Sequence, residues 1–259
     1  MTDRGARNVI SLSRIKVACQ ECSLAQLCLP LGIGRTDVDR LDAIIKRRRP
    51  LQRGDYLYRT GDRFHAVYVI RSGSLKTWAP GEGGAEQVTG FHLPGEMVGL
   101  EAIHADQHRC AAIALETTSV CEVPFSQLEE LSGRVPALQQ QLHRLMSREI
   151  LRDHEHLLVL GKKTAEERLA TFLVSLSNRL RERGYSATDF RLSMARGDIA
   201  NYLGLAVETV SRLFTRFQDH GWLEVDRKQV QLKDSARLQD LAGVQPCQAK
   251  PRPRNEGQR

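Results

Sequence analysis

Arg196-Gly-Asp-Ile-Ala-Asn-Tyr-Leu-Gly-Leu-Ala-Val-Glu-Thr-Val-Ser-Arg212 contains a short amphipathic helix, a three-residue turn and the start of a second helix. Gly204 stands where the turn needs left-handed backbone, so the segment has the form of a helix-turn-helix. The second helix is expected over residues 207–220, with Leu213 and Phe217 facing a core. Glu208, Ser211 and Arg212 then share one exposed face of its first turns, at i, i+3 and i+4. That end of such a helix enters the major groove of double-stranded DNA. Arginine forks onto guanine O6 and N7, glutamate accepts from cytosine N4, and serine serves several bases. A solvated ion pair between Glu208 and Arg212 is the plainer alternative. Against it stands the wing that follows, read as two strands over residues 221–225 and 229–232.

Upstream the texture differs. Short apolar segments, Tyr68-Val-Ile70, Gln87-Val-Thr-Gly-Phe91 and Ser119-Val-Cys-Glu-Val123, alternate with turn sequences between about residues 33 and 131. The turns are Arg53-Gly-Asp55, Arg71-Ser-Gly73, Gly81-Glu-Gly-Gly84 and Leu93-Pro-Gly95. Evenly spaced strands with this punctuation predict an all-β antiparallel roll. Past Pro136, a good first-turn residue, positions 139–160 lack Gly and Pro and predict one long helix. Leu138, Leu142 and Leu145 make a stripe suited to the roll. His143, Met146, Ile150, Asp153, Leu157 and Leu160 alternate at three and four residues, the spacing of a coiled-coil seam. A helix apolar on two sides is expected to touch both its own domain and a second copy; an ordinary buried helix is the alternative. Thr164-Ala-Glu-Glu167 is a capping box opening a further helix to about residue 183, with Leu169, Phe172, Leu173 and Leu176 on its apolar face.

Near the N-terminus, Cys19-Gln-Glu-Cys22 and Cys28 form a C-x2-C-x5-C cluster, and Cys121 lies about a hundred residues on. No secretion signal is read in the opening residues, so this pattern indicates a metal or iron–sulfur site in a reducing cytoplasm rather than a disulfide framework. Four thiolates suit tetrahedral zinc as well as an iron–sulfur cluster, and spacing does not separate the two. Cys110 rivals Cys121 as fourth ligand, and Cys247 reads as a bystander thiol. The 259 residues suffice for two domains; 41% hydrophobic and 27% charged residues are ordinary globular values, which exclude a disordered chain. A net charge of +7 favours a polyanionic partner. No apolar run approaches membrane-spanning length, and no nucleophile–base set or phosphate loop argues for an enzyme.

The order of β-roll, long helix and winged helix-turn-helix behind this cysteine set resembles the CRP–FNR superfamily of transcription regulators, in its fumarate and nitrate reduction branch. The resemblance is carried by Cys-Gln-Glu-Cys-Ser-Leu-Ala-Gln-Leu-Cys at 19–28, Thr89-Gly-Phe-His-Leu-Pro-Gly-Glu96, and Ala114-Leu-Glu-Thr117 through Cys121-Glu-Val-Pro124. Lys162-Lys-Thr-Ala-Glu-Glu-Arg-Leu169 and the 196–212 segment extend it over most of the chain. It implies an α+β fold: a cysteine segment at 1–30, an antiparallel β-roll of the cyclic-nucleotide-binding (jelly-roll) kind at 31–135, and a dimerisation helix at 136–162. A winged helix-turn-helix at 163–243 completes it, and the polar, Pro-rich stretch 244–259 reads as a disordered tail. The resemblance further implies a [4Fe–4S] cluster on Cys19, Cys22, Cys28 and Cys121; the segment bearing the first three has few apolar residues, so such a cluster is expected to be open to dissolved gas. A homodimer would read palindromic DNA with TTGAT-like half-sites through Glu208, Ser211 and Arg212. RNA polymerase would touch Ser72, Gly83, Gly84, Glu86 and Thr117. The same scaffold also serves cyclic-nucleotide receptors. That site needs an acid just after the second Gly of Gly95-Glu-Met-Val-Gly99 and an Arg followed by Ser or Thr, whereas Leu100 and Arg109-Cys110 stand here.

Overall fold

The computed structural model describes residues 18–243. It divides between His154 and Glu155 into two compact units.

The first unit opens with a turn-rich cysteine segment and the helix α1 (Arg35–Ile44). Strands follow as β1 (Lys46–Arg47), β2 (Tyr56–Tyr58), β3 (Ala66–Ser72), β4 (Leu75–Pro80), β5 (Glu86–His92), β6 (Met97–Val98), β7 (Ala111–Ala114) and β8 (Ser119–Pro124). They make two antiparallel four-stranded sheets, ordered β1-β8-β3-β6 and β2-β7-β4-β5. Helices α2 (Phe125–Arg134) and α3 (Pro136–Lys162) follow. β3 explains the layering. Its side chains alternate, so Ala66, Tyr68 and Ile70 fill the space between the sheets, while Val67 and Val69 face the helices. Against those valines pack Leu41 of α1, Leu128 of α2, and Leu138, Leu142 and Leu145 of α3. Each buried leucine contributes roughly 1.5–3 kcal/mol, so this face of α3 is firmly seated.

Between residues 33 and 131 the expectation of strands alone needs correcting, because α1 and most of α2 lie there. α1 reads Arg-Thr-Asp-Val-Asp-Arg-Leu-Asp-Ala-Ile, and only Val38 and Leu41 are buried. Two apolar anchors among five charges give too faint a periodicity to outweigh the turn punctuation around them.

The second unit takes the last turns of α3 and α4 (Ala165–Glu182), β9 (Asp189–Arg191), α5 (Arg196–Leu203), α6 (Val207–Asp219), β10 (Leu223–Asp226), β11 (Gln229–Leu232) and α7 (Ser235–Leu241). The capping box of α4 is formed: Thr164 Oγ1 accepts from Glu167 N, and Glu167 Oε2 accepts from Thr164 N at 2.7 Å. Arg168 donates to the carbonyls of Leu160, Lys163 and Leu203, tying the ends of α3 and α5 to α4. The wing is three-stranded rather than two, in the order β10-β11-β9. β9 has three residues, and Phe190 alone is buried, which is below what strand patterning reveals. The tail at 244–259, with Cys247, lies outside the described residues.

Candidate metal centre and nucleic-acid interface

From Cys19 to Leu31 the chain is a run of tight turns, closed by backbone bonds such as Ala25 N to Cys22 O at 3.0 Å and Leu27 N to Leu24 O at 2.9 Å. Its seating is stronger than its polar sequence indicates. Leu24 and Leu29 are buried, and Leu29 belongs to the core that holds α3. This corrects the expectation of a segment held by few apolar residues. Gly95 has φ +86°, and a Cβ there would stand 3.0 Å from Leu27 Cβ, so the segment lies close against the β5–β6 loop. Cys19 N donates to Asp42 Oδ1 at 3.1 Å. Gln141 of α3, 1% exposed, donates from Nε2 to the carbonyl of Cys28 at 3.0 Å.

These anchors bring Cys19, Cys22 and Cys28 to one cavity of about 420 Å³, counting its open mouth, and Cys121 lines the same cavity from β8. Strand parity decides that. Cys121 pairs with Val69 of β3 and Arg47 of β1 and shares its face with Val123, towards the helices. Cys110 stands in the other core, between the sheets, where its thiol donates to Glu101 Oε1 at 3.2 Å. Apart from Arg71, the remaining lining side chains are apolar. Burial holds the Cys28 thiol up to about 12. It also raises Cys19, with the Asp42 carboxylate adding to the shift. Cys121 is raised by burial too, opposed by the charges of Arg47 and Arg71. Thiols in such a place ionise when a cation binds them, and thiolates are soft donors. Among the described residues no three His, Cys, Asp or Glu side chains converge on a single-ion position. Four thiolates on one zinc, each about 2.3 Å from it, would crowd within roughly 4 Å of one another.

α6 presents the second site. Val210, Leu213, Phe214 and Phe217 are buried, which turns Glu208, Ser211 and Arg212 outwards, all three exposed. Gly204, at φ +61°, makes the turn. No ion pair joins Glu208 and Arg212 among the described residues. Arg216, one turn later, pairs instead with Glu166. Val207 adds a group the patterning missed: an apolar side chain 43% exposed on the first turn, suited to a thymine methyl. Its signal was its place directly before Glu208.

The seam positions of α3 lie open. Ile150 is 54% exposed and Leu157 64%, His143 and Asp153 are exposed, and Met146 and Leu160 are half-buried. Leu151 and Leu158 are exposed beside them, so four of the six exposed large hydrophobics of the described residues sit on this helix. Such clustering has the character of an interaction surface. Ser72 and Thr117 are exposed near one end of β4, and Gly83, Gly84 and Glu86 are exposed at the hairpin beyond its other end.

The nucleotide alternative meets a filled roll. Glu96, 4% exposed, accepts from Leu93 N and is held by Arg152 of α3 at 3.0 Å. Tyr58 stacks on His108 with ring centroids 3.7 Å apart, and Arg109 is exposed.

A family described as Crp-like helix-turn-helix domain matches residues 167–241, and one described as Cyclic nucleotide-binding domain matches residues 48–134. The transcriptional activator protein anr of Pseudomonas aeruginosa is 56% identical over 227 residues, 88% of this chain and 93% of its own. The fumarate and nitrate reduction regulatory protein of Vibrio cholerae is 48% identical over 244 residues, 94% of this chain and 98% of its own. Among solved structures, FixK2 from Bradyrhizobium japonicum is 32% identical with a TM-score of 0.71, covering 78% of this chain and 100% of that one. No helix of the described residues is long and apolar enough to cross a membrane. With its sheets, long helix and exposed reading helix in this order, the chain belongs to the CRP–FNR family, in the fumarate and nitrate reduction branch, and is a DNA-binding transcription regulator rather than an enzyme.

Proposed function

We propose that this regulator responds to oxygen, dimerising on palindromic DNA at anaerobic-metabolism promoters when its cysteine cavity is loaded. The observation that carries the reading is the shared cavity: four thiols from two distant stretches line it, and its floor is the core that seats α3. A [4Fe–4S] cluster held by Cys19, Cys22, Cys28 and Cys121 would supply the oxygen-sensitive chemistry. The likeness to fumarate and nitrate reduction regulators, rather than the cysteine spacing, supports a cluster over zinc.

The protein's own part is transmission. Cys28 meets α3 directly through the Gln141 hydrogen bond, and its neighbour Leu29 packs with Leu138, Leu142 and Leu145. Drawing the cysteine segment onto Cys121 therefore bears on the helix that carries Ile150, Asp153 and Leu157. A dimer across that seam sets two recognition helices about 34 Å apart, one DNA turn, in successive major grooves. Ser72, Thr117, Gly83, Gly84 and Glu86 remain exposed for RNA polymerase. Reduced thiols at the ligand positions suit the cytoplasm.

Two substitutions test the reading helix. Arg212→Ala is expected to lose about 1–3 kcal/mol at TTGAT-like half-sites and to erase the guanine preference. Glu208→Val is expected to broaden tolerance more than it weakens binding, because a carboxylate repels acceptor groups and phosphates. A base-substitution binding panel reads both; unchanged selectivity in both variants removes α6 from the reading role. Gln141→Leu probes the transmission. It removes one of the two donors to the Cys28 carbonyl, leaving Leu31 N, a loss of roughly 0.5–1.5 kcal/mol in thermal unfolding, and is expected to weaken anaerobic dimerisation. Dimerisation at the parent level would show that this bond carries no signal.

A further inference from the structure

Arg71 is the single charged residue lining the cysteine cavity; its companions there are four thiols and apolar side chains. Strand alternation puts it there, on the face of Val67 and Val69. β3 pairs Ile70 with Val120 and then Ser72 with Ser119, so Arg71 is the extra residue of a β-bulge. Bulges re-aim side chains, often next to functional sites. Arg71 stands two residues beyond Val69, which is opposite Cys121, and lines the cavity with its apolar stem, while its charge lies near enough to bear on the Cys121 thiol. No carboxylate pairs with Arg71 among the described residues, whereas the neighbouring Arg47 is bonded to Asp42 at 2.5 Å.

Four thiolates around an iron–sulfur cluster leave the assembly net negative, and nearby charge tunes both its retention and its potential. We infer that Arg71 is the counter-charge of the thiolate-held cluster, a positioning residue that slows iron loss and favours the reduced state. The inference rests on the cluster reading above. Polymerase contact by the adjacent Ser72 would affect transcription but not iron, so the readout is iron.

Wild type, Arg71→Met and Arg71→Lys, each reconstituted without oxygen, are mixed with an iron chelator, and the decay of visible absorbance is followed after iron and sulfide have been assayed. Arg71→Met is expected to lose iron roughly 10-fold faster, the scale on which outer partners of metal ligands act. Its reduction potential should shift to more negative values. Arg71→Lys keeps the charge and should stay near the wild-type rate and potential. Equal rates for wild type and Arg71→Met, or a Lys variant as labile as the Met variant, overturn the inference while the cluster reading stands. A wild-type protein that takes up no iron overturns the cluster reading, and this inference with it.

Discussion

Cys121→Ala is expected to abolish iron binding as completely as Cys19→Ala, Cys22→Ala or Cys28→Ala, while Cys110→Ala keeps the iron and sulfide of the parent. Strand geometry underlies the contrast. Cys121 shares a face of β8 with Val123 and looks into the cavity of the other three thiols, whereas Cys110 stands between the sheets and donates to Glu101. The intervening sheet separates the two positions, and no rotamer of Cys110 changes that. Removing one of four thiolates leaves an iron without its protein ligand, a far larger loss than the 10- to 100-fold that removal of an outer partner typically brings. Cys247→Ala should also keep its iron. Iron and sulfide assays on protein prepared without oxygen decide the set; loss of iron in Cys110→Ala with retention in Cys121→Ala would reverse the ligand assignment.

Asp153→Ala is expected to dimerise and bind DNA even in air, and Ile150→Glu to stay monomeric without oxygen. In the proposed seam along α3, Asp153 would stand opposite its own copy across a two-fold axis. Two carboxylates about 8 Å apart at an effective dielectric near 20 repel by roughly 2 kcal/mol, more than a tenfold penalty on association. Burial already raises the Asp153 carboxyl above its usual value, against the pull of His154 and Arg152. Closing the seam raises it further, so the protonated form is favoured in the dimer and association strengthens as pH falls. Asp153→Ala should lose that pH dependence. Ile150 is 54% exposed, so Ile150→Glu places a charge in the seam without disturbing the monomer's core. Sedimentation of both variants is the check: an aerobic Asp153→Ala protein that remains monomeric rules out charge repulsion as the brake.

The elements that read most clearly from the sequence are those whose signals agree. α5, the turn at Gly204 and the start of α6 fall where amphipathicity and the left-handed glycine put them, and α3 begins at Pro136. Thr164 and Glu167 form the capping box that their spacing specifies. What stayed hidden depends on tertiary contact. α1 has too few apolar residues to show a helical period, and β9 becomes a strand because Phe190 is buried and β11 offers an edge. The cysteine segment looks polar because its anchors, Leu24 and Leu29, are single residues, and Leu29 is buried only once β8 and α3 arrive later in the chain. Choosing between Cys110 and Cys121 needs the face of each strand, which spacing along the chain does not contain. The bulge at Arg71 is likewise a property of pairing with β8.

The most direct test is sedimentation velocity of one wild-type sample, followed by visible absorbance and protein absorbance together, before and after admission of air. Coupling of the cavity to the seam predicts that the visible chromophore sediments with a dimer in the anaerobic sample. After air, the chromophore should fade and the protein should sediment as monomer. A chromophore-bearing monomer, or a dimer that persists unchanged once the colour has gone, would contradict it.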